Sequence, residues 1–251
     1  MPTTATKPPA TTTLFGWGPI FDTPSPSPFV MKSEMQLQML GVPFERALAD
    51  LESVNKHKAP YVRDAEQVVE DSTFIRAHFE RKLGKSLDAE LSVEQGAAAW
   101  AVERMLEDRL YFIMVQERWL EADNFRKGPM VFFSGVPEAV RAQVCEDARN
   151  GLRAMLVRHG IARHSRSERM LLAARDIAAV ASLLGDKLYL FGAAPSAVDA
   201  AAFGVLAGAG TRFFDSQLPD LIEAHSNLRP YLRRIEERFF AESHWPAMFR
   251  G

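Results

Sequence analysis

The chain has 251 residues, 47% hydrophobic and 25% charged, a composition that suits one large globular domain or two ordinary ones and excludes a disordered or fibrous chain. Thirty basic residues stand against 32 acidic ones for a formal charge of -2, which removes the electrostatic case for nucleic-acid or membrane-surface binding. The single cysteine excludes an internal disulfide and a Cys-rich zinc site, and it fits a reducing, cytoplasmic setting.

Residues 1–12 lack the apolar core of a signal peptide and are expected to be a disordered tail. Leu14 to Ile20 reads as a strand bounded by Pro and Gly. Pro28 stands where a helix accepts it, in the first turn, and Met31, Met35, Leu37 and Leu40 recur at helical spacing until Gly41 and Pro43 stop them. A strand over Phe44–Ala49 follows, then two brief strands at Tyr61–Arg63 and Gln67–Val69. A helix opening at Ser72 is ended by Gly84. The order β-α-β, connection, β-β-α over residues 13–84 is that of a thioredoxin-like domain, a small mixed sheet with helices on both faces.

Residues 85–91 read as a linker, and 92–251 as an all-helical second domain. "SVEQGAAAWAVERMLEDRLYFIMVQERWLEA" has no turn signal after Gly96 and predicts one long helix. Further helices are predicted over Pro137–His159, Ser167–Leu184, the charge-poor and therefore buried "GAAPSAVDAAAFGVLAGA", and Asn227–Phe240. No run reaches the about 18 apolar residues of a membrane span.

Three short constellations carry candidate chemistry. Ser27, just before Pro28, either caps the first helix or presents its hydroxyl to an anion at the positive helix end; Ser25 is the competing hydroxyl. Pro60 opens a strand, where a cis Ala59–Pro60 bond would turn the Ala59 backbone toward the neighbouring loop. Asp71-Ser72 before the second helix is either a cap or a seat for the charged ends of an amino-acid-like ligand. In the second domain Ser196 and Asp199 have the spacing of a capping box, a folding element.

Taken in order, these residues resemble the glutathione site of the glutathione S-transferase superfamily. "LEDRLYFIMVQERW" and "LLGDKLYLFGAAPSAVDAAAFG" are similar to its failed-axon-connections and metaxin-like branch. The resemblance implies an α/β thioredoxin-like domain followed by an all-α domain, glutathione as co-substrate, a small electrophile as second substrate, a homodimer and a detoxification or stress role. It makes Ser27 the thiol-activating hydroxyl, lets Ala59 offer its backbone across cis Pro60 to the cysteine of glutathione, and gives Asp71 and Ser72 the γ-glutamyl end. Val30 stands where a redox relative has its second Cys, so dithiol exchange is excluded. Lys58, with His57, is a candidate for a glutathione carboxylate.

On the long helix, at about 100° per residue, Arg109 falls between two apolar arcs, one of which contains Met105. Arg109 and Met105 are therefore candidates for the substrate cleft, and a buried ion pair of Arg109 with Asp176 is the alternative. Trp100 and Tyr111 fall on the opposite arc, as packing or dimer-contact residues. The six histidines have no metal-ligand spacing, so no metal is expected, and Cys145 reads as a small buried apolar residue. The branch also allows a different function, that of a non-catalytic interaction or assembly module of the metaxin-like type.

Overall fold

The computed structural model describes residues 12–248. Four strands, β1 (Thr12–Gly16), β2 (Phe44–Leu48), β3 (Tyr61–Asp64) and β4 (Gln67–Glu70), form one sheet in the order β2-β1-β3-β4. β1 runs parallel to β2 and antiparallel to β3, and β4 is antiparallel to β3. Helix α1 (Pro28–Leu40) makes the β1–β2 crossover and α2 (Ser72–Leu83) follows β4. This is the thioredoxin-like arrangement. The first strand starts earlier and stops sooner than its apolar pattern suggests. Thr12 is already paired and donates its hydroxyl to Asp64, while residues 1–11 of the expected tail lie outside the described residues.

Both helices are punctuated as the sequence dictates. Ser27 caps α1 and Asp71 caps α2. Gly41 and Gly84, at φ 72° and 61°, take the left-handed conformation that ends each helix at no steric cost.

The second domain is helical: α3 (Val93–Met105), α4 (Tyr111–Trp119), α5 (Ala122–Lys127), α6 (Glu138–His159), α7 (Arg166–Leu184), α8 (Ala197–Gly210), α9 (Leu218–Glu223) and α10 (Leu228–Phe239). The long helix expected after Ser92 is continuous from Val93 to Trp119, but Leu106–Leu110 form a π-helical turn between α3 and α4. A π turn inserts residues into the helical count and rotates everything beyond it. The short helices α5 and α9 carry too few residues to show a periodicity, and the sequence reading lacks them.

Helix α1 lies between two cores. Leu37 and Leu40 join Leu14, Val62, Ile75 and Phe79 against the sheet, whereas Met31 and Met35 belong to the core of the helical domain. Burial on both sides leaves little solvent for its polar residues, and Lys32, Glu34 and Gln36 are answered from a distance, while the Ser33 hydroxyl is buried without a partner among the described residues. Lys32 pairs with Glu103 at 3.0 Å and Glu107 at 2.6 Å. Glu34 accepts from Arg46, Ser243 and the Trp245 indole. Gln36 donates to the Ala197 carbonyl.

Helix α8, as its composition requires, is buried, and small residues let it approach α1 closely. A Cβ on Gly204 would stand 2.4 Å from the Pro28 carbonyl oxygen. The linker is tied down as well, since Asp88 accepts from the Ala197 N–H and from Arg76. In the first turn of α8, the Asp199 carboxylate accepts from the Ser196 N–H and hydroxyl, the Leu190 N–H and the Tyr231 hydroxyl. Ser196 and Asp199 thus act in folding. No helix among the described residues is long and apolar enough to cross a membrane.

Candidate active site

Between the start of α1 and one side of α4 lies a cleft of about 490 Å³. Ser27, Phe29, Lys58 and Ala59 line its first-domain side; Tyr111, Met114, Val115, Arg118 and Trp119 line the other. Against it, sharing Phe29, Lys58 and Ala59, is a smaller polar pocket of about 200 Å³ that contains Asp71, Ser72 and Thr73. The fold therefore brings Ser27, Lys58, Ala59, Pro60, Asp71 and Ser72 to two adjoining hollows.

The two candidate serines differ in environment. The Ser27 hydroxyl accepts the Val30 N–H at 3.4 Å, as an N-cap does, and the residue lines the cleft. That bond uses a lone pair and leaves its O–H free to donate. Ser25 is buried, and its hydroxyl accepts the Ser27 N–H at 3.2 Å. It braces the loop from beneath and does not line the cleft. The preceding loop is anchored to the second domain by Thr211, whose hydroxyl donates to the Phe21 carbonyl at 2.8 Å.

The Ala59–Pro60 peptide bond is cis. Asp71 is held at φ 86°, a left-handed value rare for a residue with a side chain and costing about 1–3 kcal/mol. Its N–H donates to the Pro60 carbonyl at 3.2 Å, while its carboxylate accepts the Thr73 N–H at 2.9 Å and the Lys58 ammonium at 2.6 Å. Burial works against the Asp71 charge, but Lys58, the Thr73 N–H and Lys56 together hold the carboxyl below its ordinary range. Across the polar pocket stand Arg104, Glu107 and Asp108. Burial, and then the neighbouring Glu103, push the Glu107 carboxyl up despite Lys32 and Arg104.

Two expected cleft residues lie elsewhere. Arg109 forms an ion pair with the buried Asp176 of α7, through both Nε and Nη2, and Met105 packs on the helical core. Neither lines the cleft or the polar pocket. Met105, ahead of the π turn, is packed, and Arg109, inside it, makes the ion pair with Asp176 that the sequence allows as the alternative; beyond the turn a uniform helical wheel no longer applies. Tyr111, assigned by that wheel to packing or a dimer contact, lines the cleft and meets Phe29 edge to face at 4.8 Å.

Arg118 was not among the sequence candidates. It is buried, lines the cleft, and lies with its Cζ 4.8 Å from the Phe214 ring centre. Burial lowers its guanidinium to about 10, so it remains charged near neutrality. Its spacing of seven residues, about two turns, from Tyr111 becomes informative only once Tyr111 is known to line the cleft.

The family model for the glutathione S-transferase N-terminal domain matches residues 28–124, and that for the C-terminal domain matches residues 173–235. An isoprene-epoxide–glutathione S-transferase of Rhodococcus sp. (strain AD45) is 28% identical over 241 residues, 90% of this chain and 98% of that protein. The Failed axon connections protein of Drosophila melanogaster is 26% identical over 235 residues, 87% of this chain and 56% of that protein. Among solved structures, a glutathione S-transferase of Methylobacterium radiotolerans JCM 2831 in complex with glutathione sulfonate aligns with a TM-score of 0.61. It is 21% identical, over 96% of this chain and 98% of that one. A family member from Pseudomonas fluorescens Pf-5 with two glutathione bound aligns with a TM-score of 0.53 at 16% identity, over 95% and 92% of the two chains.

Proposed function

Because this chain belongs to the glutathione S-transferase superfamily, we propose that it binds glutathione across the two adjoining hollows and transfers it to a small electrophile. The observation that carries this reading is the placement of Ser27, the one of the two candidate serines that lines the cleft, at the positive end of α1. A hydroxyl that accepts from the helix and donates outward suits a bound thiolate. With the helix dipole it lowers the thiol below the about 8.5 of a free cysteine.

The remaining roles follow from chemistry. The backbone at Ala59 receives the cysteinyl portion, and the first N–H groups of α2 with Ser72 and Asp71 receive the γ-glutamyl end. Lys58, on the edge shared by both hollows, faces a carboxylate. The thiol proton leaves to solvent. The sulfur lone pair then forms a carbon–sulfur bond as the bond from that carbon to its leaving atom breaks, and the cleft contributes proximity and thiolate stabilisation. The Rhodococcus relative is named for an epoxide, so a strained ring ether is one electrophile class to assay. A cytoplasmic, homodimeric detoxification enzyme is the setting that goes with this reading.

The test is calorimetry with glutathione, followed by turnover of 1-chloro-2,4-dinitrobenzene and of an epoxide by the Ser27→Ala and Ser25→Ala variants. Removing the donor at the reacting atom is expected to cost about 100-fold in kcat, and Ser25→Ala far less. No binding at millimolar glutathione, or full turnover by Ser27→Ala, would refute the enzymatic reading in favour of an interaction module.

A further inference from the structure

The cleft contains a fixed positive charge that the chemistry above does not use. Arg118 donates Nη1 to the Pro26 carbonyl at 3.3 Å and Nη2 to the Gly208 carbonyl. No described carboxylate lies within salt-bridge distance of it, in contrast to Arg109, Arg166 and Arg169, which all have one. Two of its five N–H groups are engaged, both with neutral acceptors. A buried guanidinium that faces a cavity without a counter-ion is costly unless something supplies the negative charge.

Its surroundings point to the source. The cation lies over the Phe214 ring on the second-domain side and lines the cleft together with Tyr111 and Trp119. Space for it is provided by Gly208, where a Cβ would lie 3.3 Å from Nη2. Tyr111 lines the same cavity, and its hydroxyl has no hydrogen-bond partner among the described residues, which leaves a second donor available there.

We propose that Arg118, supported by the Tyr111 hydroxyl, binds a carboxylate carried by the second substrate, so that the preferred electrophile is an aromatic or apolar acid. This rests on the glutathione-transfer reading, in which both carboxylates of glutathione are met on the first-domain side, by Lys58 and by the start of α2. The aromatic wall receives the body of the electrophile and the guanidinium its acid group. A bidentate fork suits a carboxylate better than any other common anion except phosphate.

The experiment uses a matched pair, 4-chloro-3-nitrobenzoate and its methyl ester, at saturating glutathione, with wild type, Arg118→Lys and Arg118→Gln. The expected result is that Arg118→Gln loses about 10- to 100-fold in kcat/KM on the acid and only a few-fold on the ester, with Arg118→Lys between. Calorimetry of 4-chloro-3-nitrobenzoate with the glutathione-free protein should show binding by wild type that Arg118→Gln has lost. This arm stands even if glutathione itself fails to bind, which would overturn the underlying reading alone. Equal losses on acid and ester would overturn the proposal and leave Arg118 only its role as a clamp on the Pro26 loop. A rise in the pKa of the bound glutathione thiol in Arg118→Gln, read by thiolate absorbance, with the acid-to-ester ratio unchanged, would also overturn it and assign the charge to the thiolate.

Discussion

Lys32→Met is the most direct test of how the two domains are joined. Lys32 is 1% exposed, on a helix buried from both sides, and its ammonium bridges Glu103 and Glu107, which are themselves about as inaccessible. Methionine fills nearly the same volume, so packing is conserved and the charge is what is lost. Removing one partner of a buried pair costs about 3–5 kcal/mol. Here Arg104 still touches both carboxylates, which places the expected loss near the low end, about 3 kcal/mol. For a chain of this size that corresponds to a fall in Tm of roughly 6–12 °C.

The loss should depend on pH with a definite sign. Glu107 is already raised, by burial first and by Glu103 beside it. A carboxyl raised in the folded state binds more protons there than when unfolded, so its contribution is fully present below the unfolded value and fades as pH rises through the folded one. Without Lys32 that folded value climbs further. The variant should therefore be most deficient at pH 7.5 and recover toward pH 5, where a protonated Glu107 needs no cation. Thermal melts of wild type and variant at both pH values measure this, and Glu107→Gln in the Lys32→Met background should restore part of the loss at pH 7.5. A pH-independent deficit, or one below about 1 kcal/mol, would mean that the cluster is hydrated in solution and does not join the domains.

Two further substitutions probe the surroundings of the site. Gly204→Ala would place a methyl 2.4 Å from the Pro28 carbonyl oxygen; backbone cannot yield as a side chain can, so overpacking of about 1–3 kcal/mol should outweigh the helix gain of about 1 kcal/mol, with lowered urea midpoint and lowered turnover together. Asp199→Asn replaces an acceptor of four hydrogen bonds by an amide whose NH₂ must face donors. It should destabilise by about 2–4 kcal/mol in urea unfolding while leaving glutathione affinity per folded molecule unchanged.

The elements that set the fold were legible because their signals are local. Pro28 after Ser27, the glycines at 41 and 84, and the acidic-Ser pair at 71–72 each state a backbone conformation within a few residues. What escaped depends on distant partners or on a change of helical count. Lys32, Glu34 and Gln36 look like solvated polar positions of α1, yet each is answered by a group elsewhere in the chain. The π turn at Leu106–Leu110 has no sequence mark, and beyond it the uniform helical count that set Tyr111 apart from the cleft and passed over Arg118 no longer holds.

The positions of Ser25 and Ser27 show how the second domain bears on the first-domain side of the cleft. Local pattern supplied two hydroxyls two residues apart, either of which would sit close to a helix start. The structure separates them through contacts from outside the loop. Arg118 holds the Pro26 carbonyl, α8 presses on Pro28 at Gly204, and Thr211 fixes Phe21. Pinned at those points, the loop turns Ser25 inward to accept the Ser27 N–H and leaves Ser27 at the cleft wall. A loop that short, with three prolines in residues 24–28, has little freedom to exchange the two. The helical domain therefore does more than wall the cleft: its contacts hold Ser27, and not Ser25, at the cleft's surface.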